Sequence, residues 1–118
     1  MALPWVDFVW TIQKWLSLNP TDAIANLPVS TKTAAYTVTA TDYYLVANSA
    51  SPITFTMPAA SSNANRVFVF KNIGAGALTL NASGLGSIFT TASVTTLAVT
   101  TGNWAELTSN GTTWLART

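Results

Sequence analysis

The chain has 118 residues, a formal net charge of +1, and neither cysteine nor histidine. It is 49% hydrophobic and only 8% charged, where ordinary globular chains carry about a quarter charged residues. These values exclude a disulfide framework, thiolate or imidazole metal sites and histidine-based catalysis. They also leave no cationic cluster for nucleic acid: Lys14, Lys32, Arg66, Lys71 and Arg117 are scattered along the chain, and phosphate recognition needs several together.

The opening "MALPWVDFVWTIQKWLSLNP" reads as a helix. Trp5, Phe8, Val9, Ile12, Trp15 and Leu16 recur at three- and four-residue steps, which gathers them on one side. Pro4 suits the first turn, Asp7 and Lys14 complement the dipole, and Asn19-Pro20 stops the helix. Its apolar face must pack on something. It covers the chain's own β core, docks to another subunit or particle, or lies on a membrane surface. Membrane insertion is not expected, because Asp7, Gln13 and Lys14 interrupt the apolar run. "TDAIANLPVS" continues as a linker that packs Ile24 and Leu27. Residues 1–30 are thus expected to be an anchoring segment and linker, and residues 31–118 a β domain.

From residue 36 the pattern has period two, the signature of strands. Tyr36, Val38 and Ala40 alternate with threonines up to a turn or bulge at Asp42. Tyr44 and Val46 then alternate with Tyr43, Leu45 and Ala47. Ile53, Phe55 and Met57 share one face of the next strand, and Pro58 ends it. Val67 and Val69 oppose Phe68 and Phe70, so that strand is central or meets a second subunit. "NIGAG" is expected to turn through positive φ at its glycines. Short strands follow at Leu78–Leu80, at Ile88-Phe89 and within "SVTTLAVT".

Asn110-Gly111 predicts a two-residue type I′ hairpin. Counting outward pairs Leu107 with Trp114, Glu106 with Leu115 and Trp104 with Arg117. Leu107, Trp114, Ala105 and Ala116 then face the core. Trp104, Glu106, Leu115 and Arg117 form the other face, with Arg117 stacked on Trp104 and reaching Glu106 diagonally. That face reads as an interface, or else as a surface cluster with no partner.

No catalytic constellation is legible, and no cofactor is expected. The carboxylates are Asp7, Asp22, Asp42 and Glu106. Asp42 and Glu106 are the one pair to weigh for glycoside cleavage. Asp42 is better placed to accept turn N–H groups, and Glu106 has Arg117. No serine sits in a Gly-x-Ser-x-Gly elbow, and "GAGALTLNASGLG" lacks the Lys-Ser/Thr of a phosphate loop.

The pieces "YTVTATDYYLVANS", "PITFTMPAA", "NRVFVFKNIGAGALTL" and "LTSNGTTWLA" together resemble a small β module of tailed-bacteriophage structural proteins. The likeness covers roughly residues 33–118. Its implied fold is an antiparallel β-sandwich or jelly-roll-like domain that forms trimers. Its implied settings are tail fibres and spikes that contact the host surface, and capsid decoration or cement proteins. No catalytic residues come with it. The short tryptophan-rich lead after Met1 departs from fibre-borne examples, which often end a longer polypeptide. The expectation is therefore a non-enzymatic virion protein: a homotrimeric capsid decoration subunit docked through its N-terminal segment to the major capsid protein. The alternative is a tail-fibre or tail-tip subunit, or a host-glycan binding module. In that module Tyr43, Tyr44, Trp104 and Trp114 would stack on sugars.

Overall fold

A computed structural model describes residues 27–118. The expected N-terminal helix, with Trp5, Phe8, Val9, Ile12, Trp15 and Leu16, lies outside the described residues. The described chain is all-β. Its strands are β1 (Val29–Lys32), β2 (Tyr36–Thr37), β3 (Tyr44–Ala47), β4 (Ile53–Thr56), β5 (Val67–Asn72), β6 (Leu78–Asn81), β7 (Ile88–Phe89), β8 (Ser93–Val94), β9 (Thr96–Val99), β10 (Trp104–Ser109) and β11 (Trp114–Arg117). They form a seven-stranded sheet, β1-β3-β5-β10-β11-β7-β8, and a four-stranded sheet, β2-β4-β6-β9.

The expected antiparallel pairing holds for only four of the nine strand pairs; the other five are parallel. The cause is the path of the chain. From β1 to β6 each strand is followed by one in the other sheet, so the chain returns to a sheet in the direction in which it left. Parallel neighbours require a crossover, and here the crossover is a strand of the facing sheet. Tyr44 pairs with Val69 and Ile53 with Leu78, each 25 positions on, so two successive coils stack in register in both sheets.

The turns between these coils stack as well. Ile73 N donates to the Ala47 carbonyl (2.9 Å) and Gly76 N to the Ser49 carbonyl (2.8 Å). A Cβ on Gly74 would lie 2.3 Å from Ser49 N, and one on Gly76 2.1 Å from the Ser51 carbonyl oxygen. Glycine is therefore required here for close backbone approach. The expected positive φ is found instead at Gly84, Gly86, Gly102 and Gly111.

Alternation decides which side chains enter the space between the sheets. Leu45, Phe55, Phe68, Phe70, Leu78, Leu80, Leu107 and Trp114 are fully buried in one cluster. A chain of aromatic contacts runs through it, from Tyr36 to Phe55 (6.1 Å), Phe55 to Phe70 (6.2 Å), Phe70 to Phe68 (6.4 Å) and Phe68 to Trp114 (5.5 Å). The Phe55–Phe70 contact joins the two sheets, and such pairs contribute about 0.5–1.5 kcal/mol beyond their buried area. Beyond β10 the four-stranded sheet ends, and loops cover the inner face of β11 and β7. Trp114 Nε1 donates to the Pro58 carbonyl (3.0 Å) and Ser109 Oγ to the Ala60 carbonyl (2.7 Å).

Candidate interaction face

The outward side chains of the seven-stranded sheet fall into rows set by the register. One row is Thr31, Val46, Lys71 and Trp104; the next is Val29, Tyr44, Val69, Glu106 and Arg117; a third is Val67, Thr108, Leu115 and Phe89. Val29 (64% exposed), Phe89 (45%), Leu115 (44%) and Trp104 (43%) all stand on this face. They are four of the five large apolar side chains exposed among the described residues, the fifth being Ile73. Leu115 and Phe89 are neighbours in register, whereas Val29 on β1 and Trp104 on β10 stand apart from them on the same face; single exposed apolar residues are ordinary, and their sharing one sheet face makes it the candidate interaction face.

Trp104, Glu106, Leu115 and Arg117 share this face as expected, but their pairing differs. Ser109 lies opposite Trp114, Thr108 opposite Leu115, Leu107 opposite Ala116 and Glu106 opposite Arg117. The register is displaced by two residues from the predicted hairpin. Asn110 lacks the positive φ that a type I′ turn needs. Its Oδ1 instead accepts from Thr112 N (2.9 Å) and Thr113 N (2.8 Å), holding a four-residue loop. A shift of two leaves every side chain on its face, so Ala105, Leu107 and Trp114 are buried as predicted. Trp104 lies opposite Lys71 of β5 rather than Arg117. Glu106 Oε1 and Arg117 Nε are 3.9 Å apart.

The described cations are engaged within the domain. Lys71 Nζ donates to the Gly102 carbonyl (2.7 Å), and Arg66 Nη2 to the Asp42 carbonyl (2.6 Å). Lys32 Nζ sits 4.0 Å from the centre of the Tyr36 ring. Asp42 closes its own turn: Oδ2 accepts from Thr39 N (2.8 Å) and from the Tyr36 hydroxyl (2.8 Å). That hydroxyl's pKa is raised, chiefly by its hydrogen bond to Asp42 and then by burial.

Two hollows adjoin the face. One, of about 310 Å³, is lined by Glu106, Thr108, Leu115, Ala116 and Arg117. The other, of about 420 Å³, lies where Trp104, Asn103 and Thr118 meet Leu97, Ala98 and Val99 beside the free edge of β9. Of the aromatic residues considered for sugar stacking, Trp114 is fully buried, Tyr43 and Tyr44 are half-buried, and Trp104 is exposed. Among the described residues no three His, Cys, Asp or Glu side chains gather as a metal site, and no helix is long and apolar enough to cross a membrane.

Val29 and Phe89 were absent from the sequence-based set. Alternation beside the buried Ile88 puts Phe89 outward. Only the parallel β11–β7 pairing brings it next to Leu115.

No family model, no curated protein and no solved structure matches this chain. The geometry defines an all-β domain of two mixed sheets, the larger of which exposes Val29, Phe89, Leu115 and Trp104 on its outer face among charged and polar side chains.

Proposed function

We propose that this protein is a non-enzymatic structural subunit of a tailed-bacteriophage virion, a homotrimeric capsid decoration or cement protein docked through its N-terminal segment, residues 5–16 with Ile24 and Leu27 nearby. The observation that carries this reading is the apolar outer sheet face, whose opposite charges, Glu106 and Arg117, face each other. Its apolar side chains gain by burial in an assembly, while Glu106, Arg117 and Lys71 keep partners or stay at a solvated rim, because burying an unpaired charge is costly. In this reading the two sheets act as a sandwich-like body, and many modest contacts reinforce one another on a lattice. The virion is its location, and the major capsid protein its partner.

Imaging the native particle by cryo-electron microscopy tests the assignment. The expected result is density for this domain at repeated lattice positions on the shell. Deleting residues 1–18 should leave a folded β domain that no longer joins the particle; normal incorporation of the truncated chain would refute the docking role.

The second reading is a tail-fibre or tail-tip subunit that binds host glycan. It is favoured by the hollow where exposed Trp104 adjoins Asn103, since an aromatic plane beside an amide suits a sugar ring. Binding to a glycan array that is lost in Trp104→Ala would support it.

A further inference from the structure

Asn110-Gly111 is the chain's single Asn-Gly step, and the loop around it holds the groups for a reaction between the two residues. Gly111 N is the nucleophile, and the side-chain carbonyl carbon of Asn110, Cγ, is the electrophile. Only Cβ, Cα and the backbone carbonyl carbon lie between them, so attack closes a five-membered ring without any search for a partner. We propose that Asn110 is a self-modification site. In the folded loop it forms a succinimide with Gly111 and is converted to aspartate and isoaspartate. Nothing in this chemistry depends on what the domain assembles with.

The loop supports the step at each of its atoms. Asn110 Oδ1 accepts from Thr112 N (2.9 Å) and Thr113 N (2.8 Å). Negative charge develops on that same oxygen when Gly111 N adds to Cγ, so the two backbone N–H groups act as an oxyanion hole. Gly111 N donates to Ser109 Oγ (3.0 Å), whose own proton is committed to the Ala60 carbonyl (2.7 Å). A hydroxyl lone pair therefore faces the Gly111 N–H and makes its nitrogen more nucleophilic. Asn110 is exposed, so water reaches the departing amide nitrogen. Gly111 has no side chain to crowd the ring.

The Gly111 N–Cγ bond forms as Gly111 N gives up its proton to water. The Cγ–Nδ2 bond breaks, and Nδ2 takes a proton from water and leaves as ammonia. Water then adds to either imide carbonyl. Opening at Cγ restores the backbone with aspartate at position 110. Opening at the backbone carbonyl leaves isoaspartate, with the chain routed through Cβ and Cγ. That product lengthens the loop between β10 and β11 by one backbone atom and displaces the acceptor from Thr112 N and Thr113 N.

The other described asparagines lack this combination. Each is followed by a residue that bears a side chain. Asn72 is fully buried, and Ile73 N is bonded to the Ala47 carbonyl (2.9 Å). Asn81 Oδ1 also accepts a backbone N–H, from Ser83 (3.0 Å), but Ala82 N is held by the Thr95 carbonyl (2.8 Å). Asn103 ties its amide nitrogen to Thr100 Oγ1.

Peptide mapping by mass spectrometry, after incubation of the folded full chain at mildly alkaline pH, tests the site. Position 110 should gain the mass change of an amide becoming an acid, ahead of every other described asparagine. Part of the product should be isoaspartate, which direct hydrolysis of the side chain does not yield. Asn110→Gln, whose longer side chain would need a larger ring, should show no change there while keeping the far-UV circular dichroism of wild type. Should that variant fail to fold, wild type incubated in urea supplies the comparison, since unfolding removes the oxyanion hole. The folded chain should react faster than the unfolded one, by about twofold to tenfold for hydrogen bonds of ordinary strength. A folded rate below the unfolded one would mean that Thr112 N and Thr113 N lock the amide instead, and overturns the proposal. So does an unmodified position 110, or aspartate without isoaspartate.

Discussion

Asn72, at the end of β5 in the seven-stranded sheet, donates from Nδ2 to the carbonyl of Val99, at the end of β9 in the four-stranded sheet, across 2.8 Å. The same Nδ2 reaches the Gly76 carbonyl (2.9 Å), and Oδ1 accepts from Gly74 N (3.0 Å). One fully buried amide thus ties the sheets together and shapes the glycine turn beside it. Replacing it removes the side-chain donor to the Gly76 and Val99 carbonyls, and alanine also leaves Gly74 N with only its longer bond to the Ala47 carbonyl (3.2 Å); a buried polar group that loses its partner costs about 1–3 kcal/mol. Asn72→Ala and Asn72→Asp are both expected to lower stability in urea by about 2–4 kcal/mol, and an unchanged urea midpoint in both would refute the role.

The stacked turns give a contrast among glycines. Gly74→Ala and Gly76→Ala drive a methyl into the backbone at Ser49 and Ser51, so the coils must separate, at a cost of about 1–3 kcal/mol or more. Gly84 has φ +72° and nothing near its missing Cβ. Gly84→Ala is expected to cost only the left-handed conformational penalty, about 1–2 kcal/mol. Thermal melting of the three variants should rank them accordingly; equal melting would mean the turns do not stack.

The terminal loop depends on two neighbours for different reasons. Gly111 holds φ +92°, so Gly111→Val should lower the melting temperature through strain of about 1–2 kcal/mol or more. Asn110→Ala removes the acceptor shared by Thr112 N and Thr113 N, a loss of about 1 kcal/mol. Hydrogen exchange at those two amides should accelerate in the variant. Protection equal to wild type would count against the loop's geometry.

Alkaline stability follows from Tyr36. Its pKa lies above the ordinary 10.0 because the neutral phenol donates to Asp42 and is partly buried. The folded state therefore holds this proton more tightly than the unfolded chain. The resulting stabilisation is fully present below the unfolded value and is lost as pH rises through the folded one. Urea midpoints measured on either side of that window should fall more steeply for wild type than for Tyr36→Phe, which has no phenolic proton. Parallel curves would show that the bond to Asp42 does not persist in solution.

Much of this molecule was legible along the chain. The alternation placed Leu45 with Ala47, Phe55 with Met57, Phe68 with Phe70 and Leu78 with Leu80 on one face each, and the structure buries all four pairs; which face of β5 lies inward was not legible, since both are apolar. Trp104, Glu106, Leu115 and Arg117 were rightly assigned to one face even though their pairing was displaced. Besides the antiparallel pairing, other readings failed, some for local and some for non-local reasons. The strand expected to run from Tyr36 to Thr41 stops at Thr37, because the Asp42 carboxylate turns the chain at Thr39. "SVTTLAVT" splits into β8 and β9, which belong to different sheets. The role of Gly74 and Gly76 could not be seen without the coil beneath them.

The amino-acid order by itself determined that the described chain is β and which side chains of each strand share a face. That follows because a strand's two faces alternate with its own backbone pleat, whatever lies alongside. Only the tertiary structure decided which strands are neighbours and in which direction. Parallel coils, the Asn72–Val99 tie and the apolar face joining Val29, Trp104, Leu115 and Phe89 depend on partners far apart in the chain. The pleat carries no record of such partners.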